Sequence, residues 1–479
     1  MSIADYFFKK ASEILISKSI KWQKESMLRD LNLWELEANR QGHLSVDGVD
    51  TIGLVERYGS PLLVVNRKKL LKDARNTINA FKIAPPGSKI LYSYKTNCIP
   101  GIIKELHGLG IGAEVISPYE LWLAERLGVP GEKIVYNGVN KTEESLNRAI
   151  KMNVLSINID SFDEIDLLYN IAKRLNKKAN VGIRLGLVAK SQFGFDIESG
   201  DAMKACEKIA SLSSYLNLCC IHFNVTSNER TASAHKHCSN IALDFIYKLK
   251  EKKGIAISYL DIGGGFGVET TKNMSGLEYG LYRLFGCLPK PPLPDDYQPV
   301  DSFFSDTIES IRRACERLNL DVPKIIIEPG RLITSRSEFL LARVNSIKKK
   351  NNGTIFAITD AGRLSMNFPC DFEYHEVFIA NRPNDKLEKV YQVMGRICTS
   401  ADWMFKNRCL PELKNGDVLA VMDAGAYFSS YSSNFAFPRP PIVMISNGVA
   451  KVIRDGETFD HLTAMDVFDK ASKYNRKIL

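Results

Sequence analysis

Residues able to do covalent, acid–base or anion-binding chemistry recur at one kind of place in this chain: the end of a short apolar run. Lys95 closes the run 90–94. Glu114 and Ser117 come near the end of the next, and Asn137, Asp160 and Arg184 end three more. The segment 222–227, the glycines Gly263, Gly264 and Gly265, and Glu328 with Arg331 end the last. A chance distribution would put comparable polarity at both ends of each run. The regularity points to an enzyme whose strands share one mouth at their C-terminal ends.

Each group suggests a particular task. An amine at the end of an apolar strand is partly desolvated, which lowers its pKa and frees it for Schiff-base formation. A lysine lying along a rim with its head in water is the competing reading of Lys95. The run Asp261-Ile262-Gly263-Gly264-Gly265-Phe266-Gly267 lets backbone N–H groups approach an anion such as phosphate, although a plain tight turn has the same composition. It is not the dinucleotide fingerprint GxGxxG. In Glu328-Pro329-Gly330-Arg331 the carboxylate could hold a heteroaromatic nitrogen protonated and the guanidinium could grip a phosphate bidentately; a mutual Glu–Arg salt bridge is the alternative. Cys219, Cys220, His222, His235, His237 and Cys238 match no zinc spacing, so no metal is expected.

The elements that must position these groups follow from periodicity. Strand-like runs fall at 61–66, 89–94, 113–117, 134–137, 156–160, 180–185, 217–225, 259–262 and 324–327. Helix-period segments such as 99–109, 118–127 and 143–152 lie between them. Strands alternating with helices imply parallel pairing, and this many repeats favour a closed βα barrel over an open sheet. After about residue 335 strand-like runs separated by turn signals predict a mostly antiparallel β domain. The proline-rich stretch 288–299 must be a loop. We therefore expect a helical extension over 1–46, strands joining the β domain over 47–60, a barrel over 61–334 and a β domain over 335–479.

Length and composition bound the rest. The 479 residues are too many for one compact core, and 45% hydrophobic with 25% charged residues is ordinary for a globular protein. A net charge of +9 without basic runs interleaved with aromatics argues against nucleic-acid binding. No apolar stretch approaches the roughly 18 residues of a spanning helix. The ten cysteines form no CxxC pair, and the amphipathic start MSIADYFFKKASEIL lacks a long apolar run. A cytoplasmic protein with reduced thiols is expected.

Together the segments resemble the fold-type III pyridoxal-phosphate (PLP) decarboxylases, the diaminopimelate and ornithine decarboxylase family, over most of residues 50–450. Tyr92-Ser93-Tyr94-Lys95-Thr96-Asn97 is similar to the family's cofactor-lysine motif. LDIGGGFG and EPGR are close to literal matches. Asp360-Ala361-Gly362, Gly395-Arg396-Ile397-Cys398 and Asp423-Ala424-Gly425-Ala426-Tyr427 continue the series in family order. The resemblance implies a barrel plus β domain of the alanine-racemase type, with Lys95 covalently carrying PLP and Glu328 at the pyridine nitrogen. It puts Gly263, Gly264, Gly265, Arg331, Ser227 and Tyr427 around the phosphate, and Arg184 and Glu114 in the cofactor pocket. Cys398 would be the acid that returns a proton to the substrate carbon, supplied across a homodimer interface by a partner subunit. Asp360, Thr399 and Phe368 fall where the amino-acid substrate would be contacted.

Three departures stand at those positions. Asn224 replaces the histidine that stacks on the cofactor ring, Thr399 replaces an acidic residue that binds a distal amine, and Phe368 replaces the arginine that grips a distal carboxylate. They predict a substrate without the usual charged anchors. A racemase would be expected to carry arginine in place of Glu328. A non-catalytic regulatory paralogue would fit Asn224 and Thr399 but not the intact lysine and phosphate motifs.

Overall fold

The structure is a computed structural model and describes residues 3–26, 28–187, 191–366 and 369–466. Strand β1 is Leu62–Asn66. Then follow β2 (Lys89–Ser93), β3 (Gly112–Val115), β4 (Ile134–Tyr136), β5 (Ser156–Ile159), β6 (Ala179–Arg184), β7 (Leu216–His222), β8 (Tyr259–Asp261) and β9 (Lys324–Ile327). Strands β2 to β9 pair in parallel, each with its sequence neighbour, and β9 pairs with β2 to close an eight-stranded barrel.

Helices start where the sequence supplies caps. Ser117, Thr142 and Ser161 each accept a hydrogen bond from the backbone N–H three residues on, at the heads of Pro118–Arg126, Glu143–Lys151 and Phe162–Leu175. Inside the barrel, Leu91, Val135, Cys220 and Ile326 pack in one apolar cluster with Leu155 and Cys219. Each fully buried aliphatic chain of this kind stabilises by roughly 1.5–3 kcal/mol. Two positions after four of these residues stand Ser93, Asn137, His222 and Glu328, and a period of two keeps them on the same face. An apolar floor with a polar mouth is thus written into the alternation.

The second sheet comprises β10 (Glu338–Lys349), β11 (Ile355–Thr359), β12 (Val377–Ile379), β13 (Lys389–Met394), β14 (Trp403–Leu410), β15 (Val418–Val421), β16 (Ile442–Ser446) and β17 (Val449–Arg454). It is antiparallel except where β11 meets β13 and β1 meets β16. Two expectations are corrected here. The run at 61–66 belongs to this sheet, between β10 and β16, and not to the barrel. The segment 47–60 is mainly the helix Thr51–Tyr58, capped by Asp50, with only Val49–Asp50 as strand. Within the extension, helix Ile3–Lys24 lies on β14: Gln23 donates to the Asn407 carbonyl (3.1 Å) and accepts from the Cys409 N–H (2.8 Å). Ser19 donates to the Leu288 carbonyl (2.9 Å), fastening the proline-rich loop.

Candidate active site at the barrel mouth

Lys95 stands just past β2, and its ammonium donates to Glu114 Oε2 at 2.9 Å. Glu114 is fully buried at the end of β3 and also accepts from Ser93 Oγ (2.5 Å) and Asn137 Nδ2 (3.0 Å). The same Asn137 amide reaches Glu328 Oε1 at 2.6 Å, and Asn158 Nδ2 fixes it by donating to Asn137 Oδ1 (2.8 Å). One network therefore runs Lys95–Glu114–Asn137–Glu328 across the mouth.

Its electrostatics correct one expectation. Burial pulls the Lys95 amine down, but Glu114 and Glu328 outweigh it and raise the amine above the ordinary lysine range. Burial raises Glu114, yet Lys95 and the Ser93 and Asn137 bonds leave its carboxyl below the usual range. Glu328 behaves oppositely: burial, then the neighbouring Asp261 and Glu114, push it well up. Burial lifts Asp261 to about 7. His222 is pushed well down by burial and then by Arg184, and its Nε2 sits 3.9 Å from Glu328 Oε2. Ligand atoms of His222, Asp261 and Glu328 lie within 4.8 Å of one another. The cysteine and histidine residues singled out in the sequence do not assemble: Cys219 and Cys220 lie in the barrel core, and His235 Nε2 donates to the Gly264 carbonyl of the glycine loop (2.9 Å).

Two spaces open on either side of Lys95. One is a narrow cradle lined by Thr226, Ser227, Gly264, Gly265, Arg331 and Tyr427. The other, about 520 Å³, is lined by Glu114, Ile116, Val139, Arg184, Phe193 and His222. Lys95, Asn224 and Glu328 line both. The cradle tolerates no side chains: a Cβ at Gly264 would stand 2.5 Å from the Glu328 carbonyl, and one at Gly265, where φ is +84°, 2.2 Å from that of Thr226. Tyr427 adopts φ +75°, an unusual conformation for an aromatic residue, with its N–H on the Thr96 carbonyl (2.9 Å). Arg184 lies over the Phe193 ring at 4.2 Å.

Several expected donors are engaged elsewhere. Arg331 does not pair with Glu328: its terminal amino groups donate to Glu373 at 2.5 and 3.1 Å, so the end-on face of the guanidinium is taken and only its Nε side is open to another anion. The Gly263 N–H goes to Asp261 Oδ1 (3.0 Å) and the Gly264 N–H to Asn224 Oδ1 (3.1 Å). Asn224 thus turns its carbonyl to the glycine loop instead of offering a flat face. Asp360 lines neither space; it continues the β10–β11 pairing and accepts from the Arg343 N–H at 2.9 Å. Cys398 and Thr399 are exposed and line neither space. Phe368 lies outside the described residues. Asn137 and Glu373 were given no role from the sequence. Asn137 had a signal in its strand-end position; Glu373 had none, since only the fold brings it to Arg331.

The glycine cradle, the buried Glu328 and an unpartnered Arg331 Nε are a suitable donor set for a phosphorylated heteroaromatic cofactor anchored on Lys95. Comparisons agree with that chemistry. A family model described as the pyridoxal binding domain of pyridoxal-dependent decarboxylases matches residues 71–335. The diaminopimelate decarboxylase of Methanocaldococcus jannaschii is 32% identical over 447 residues, covering 89% of this chain and 96% of the relative. That of Aquifex aeolicus is 31% identical over 437 residues, covering 88% and 95%. A crystal structure of the M. jannaschii enzyme is similar with a TM-score of 0.80 at 29% identity, covering 92% of this chain and 99% of that one. A Helicobacter pylori diaminopimelate decarboxylase complexed with L-lysine gives 0.72 at 26% identity, covering 86% and 98%.

Proposed function

Since the chain belongs to the pyridoxal-dependent decarboxylases, a PLP-dependent carboxy-lyase acting on an amino acid, we propose that its substrate lacks the usual distal ammonium anchor and that two copies of the chain complete each site. The observation that carries the reading is the position of Lys95, on the seam between an anion cradle and a larger space, with Glu328 on the same seam.

Bound PLP supplies a ring that accepts the electron pair released when the Cα–carboxylate bond breaks. The chain's residues prepare for it. Lys95 is the amine that carries the cofactor, and Glu114 fixes its direction. Glu328, whose carboxyl burial and then Asp261 push well up, would face the ring nitrogen. Gly265, Ser227, Tyr427 and Arg331 surround the phosphate end, while Arg184, Asn224 and His222 wall the ring. Cys398 and Thr399 stand exposed on their own subunit, which supports a second copy bringing the thiol to the reacting carbon.

The substrate reading rests on Thr399, an uncharged residue beside Cys398, and on Phe368. Neither attracts an ammonium or a carboxylate. Purified protein should be yellow, lose that absorbance on borohydride treatment through modification of Lys95, and release CO₂ from an amino acid without a distal ammonium. Protein that binds no PLP would sink the reading. Strong turnover of diaminopimelate would overturn its substrate half alone.

A further inference from the structure

The cradle's arginine has an anion of the protein's own. Arg331 is 4% exposed and Glu373 3%, and both terminal amino groups of the guanidinium are spent on the one carboxylate. Arg331 opens the short helix Arg331–Thr334 after β9. Glu373 comes from the β-domain side, just after the short helix Pro369–Phe372. His375 Nε2 stands 3.3 Å from the same carboxylate, with its Nδ1 on the Met422 carbonyl (3.0 Å). A buried bidentate pair carries no net charge, so Arg331 offers a phosphate its remaining N–H groups, the unpartnered Nε–H first, but little net charge.

We propose that Glu373 is an internal competitor for the cofactor's phosphate: it occupies Arg331 and thereby sets both the affinity for PLP and the preference for the phosphorylated over the unphosphorylated cofactor. The inference rests on the PLP reading above. Bringing a dianionic phosphate beside Arg331 places it next to the Glu373 charge, in surroundings too dry to screen the repulsion. Asn224 acts in the same sense at the loop, where its oxygen holds the Gly264 N–H.

Glu373→Gln keeps the shape and an acceptor for Arg331 while removing the charge. Cofactor-free wild type and E373Q would be titrated with PLP and with pyridoxal, following absorbance. E373Q should bind PLP about tenfold tighter or better, as expected when one buried like charge is removed, and pyridoxal within about twofold of wild type. PLP affinity unchanged or weakened, or both ligands tightened equally, overturns the proposal, because a structural role for Glu373 does not distinguish the two. If E373Q fails to fold, the wild type decides: PLP should be preferred over pyridoxal by less than about a hundredfold, and a preference above about ten-thousandfold means that Arg331 is fully available to the phosphate. Wild type that takes up no PLP removes the underlying reading as well. Wild type that binds PLP while E373Q binds it no better overturns this inference alone.

Discussion

The barrel mouth and the loop 395–402 serve the same proposed reaction with opposite designs. At the mouth, Lys95, Glu114, Asn137 and Glu328 form one hydrogen-bonded chain whose members other than Lys95 are buried, and Asn158 braces it from behind. In the loop, Cys398, Thr399 and Ser400 face solvent, and the turn is held from beneath by Asp402. The Asp402 carboxylate is fully buried and accepts from the N–H groups of Arg363 and Ile397, both at 2.8 Å. Gly362 and Gly395 press so closely on it that a Cβ at either would stand 2.4 and 2.2 Å from its oxygens. The proposed cofactor half is thus built within one chain, whereas the loop proposed for the substrate half is an exposed turn, braced by Asp402, that lines neither space of its own chain.

The contrast is broken most severely at Lys95. K95A removes the only amine that lines both spaces among the described residues, and activity should fall by about 10⁴-fold or more together with the cofactor's absorbance. Retained absorbance that borohydride still bleaches would show that another residue carries the cofactor. C398A tests the other region. A displaced acid should lower kcat by about 10²-fold while PLP uptake stays as in wild type. Loss of PLP uptake in C398A would mean that the two halves are not separable as the geometry indicates.

A smaller effect is expected at Asp402. D402N keeps one acceptor but turns an amide N–H₂ toward a backbone N–H, loosening the turn without touching the mouth. We expect kcat to fall about tenfold, PLP affinity to hold, and the reactivity of Cys398 toward a thiol reagent to rise. Unchanged kcat with altered PLP affinity would reverse the assignment of Asp402 to the substrate half.

The same comparison explains how much could be read from the residues alone. The mouth was legible because polar strand ends repeat eight times against an apolar floor with period two, and such repetition survives errors at any one strand. Leu62–Asn66 deceived because all five residues are buried, so the run reads like a barrel strand although its partners are β10 and β16. Thr51–Tyr58 was misjudged because the Asp50 cap and the buried Leu54 and Val55 form a signal only two turns long. The Arg331–Glu373 pair spans 42 residues and two sheets, and the Asn224–Gly264 bond spans 40. Neither leaves a periodic trace, so donors that look free in sequence are engaged in space. Asp360 kept its motif, but in its own chain the ladder, not the pocket, claims its carboxylate.

The junction of the barrel with the β domain titrates, and this gives the mildest prediction. Glu338 opens β10 at the junction, where Asn97 Nδ2 donates to its Oε2 at 2.7 Å and Oε1 has no partner. Burial, only partly offset by the Asn97 bond, lifts its carboxyl from 4.5 to about 8. A folded-state pKa above the unfolded one means that the native chain holds the proton more tightly. The contribution of Glu338 to stability is therefore present below pH 4.5 and is lost as pH rises toward about 8. Glu338→Gln mimics the protonated acid at every pH. Thermal unfolding of the cofactor-free protein should show E338Q close to wild type at pH 5 and higher in Tm by roughly 2 °C at pH 8.5, while C398A leaves the difference between the two pH values as in wild type. A wild-type Tm that rises relative to E338Q with pH would give the opposite sign. It would mean that Glu338 is ionised and paired in the native junction, which would then be charged where the barrel meets the β domain.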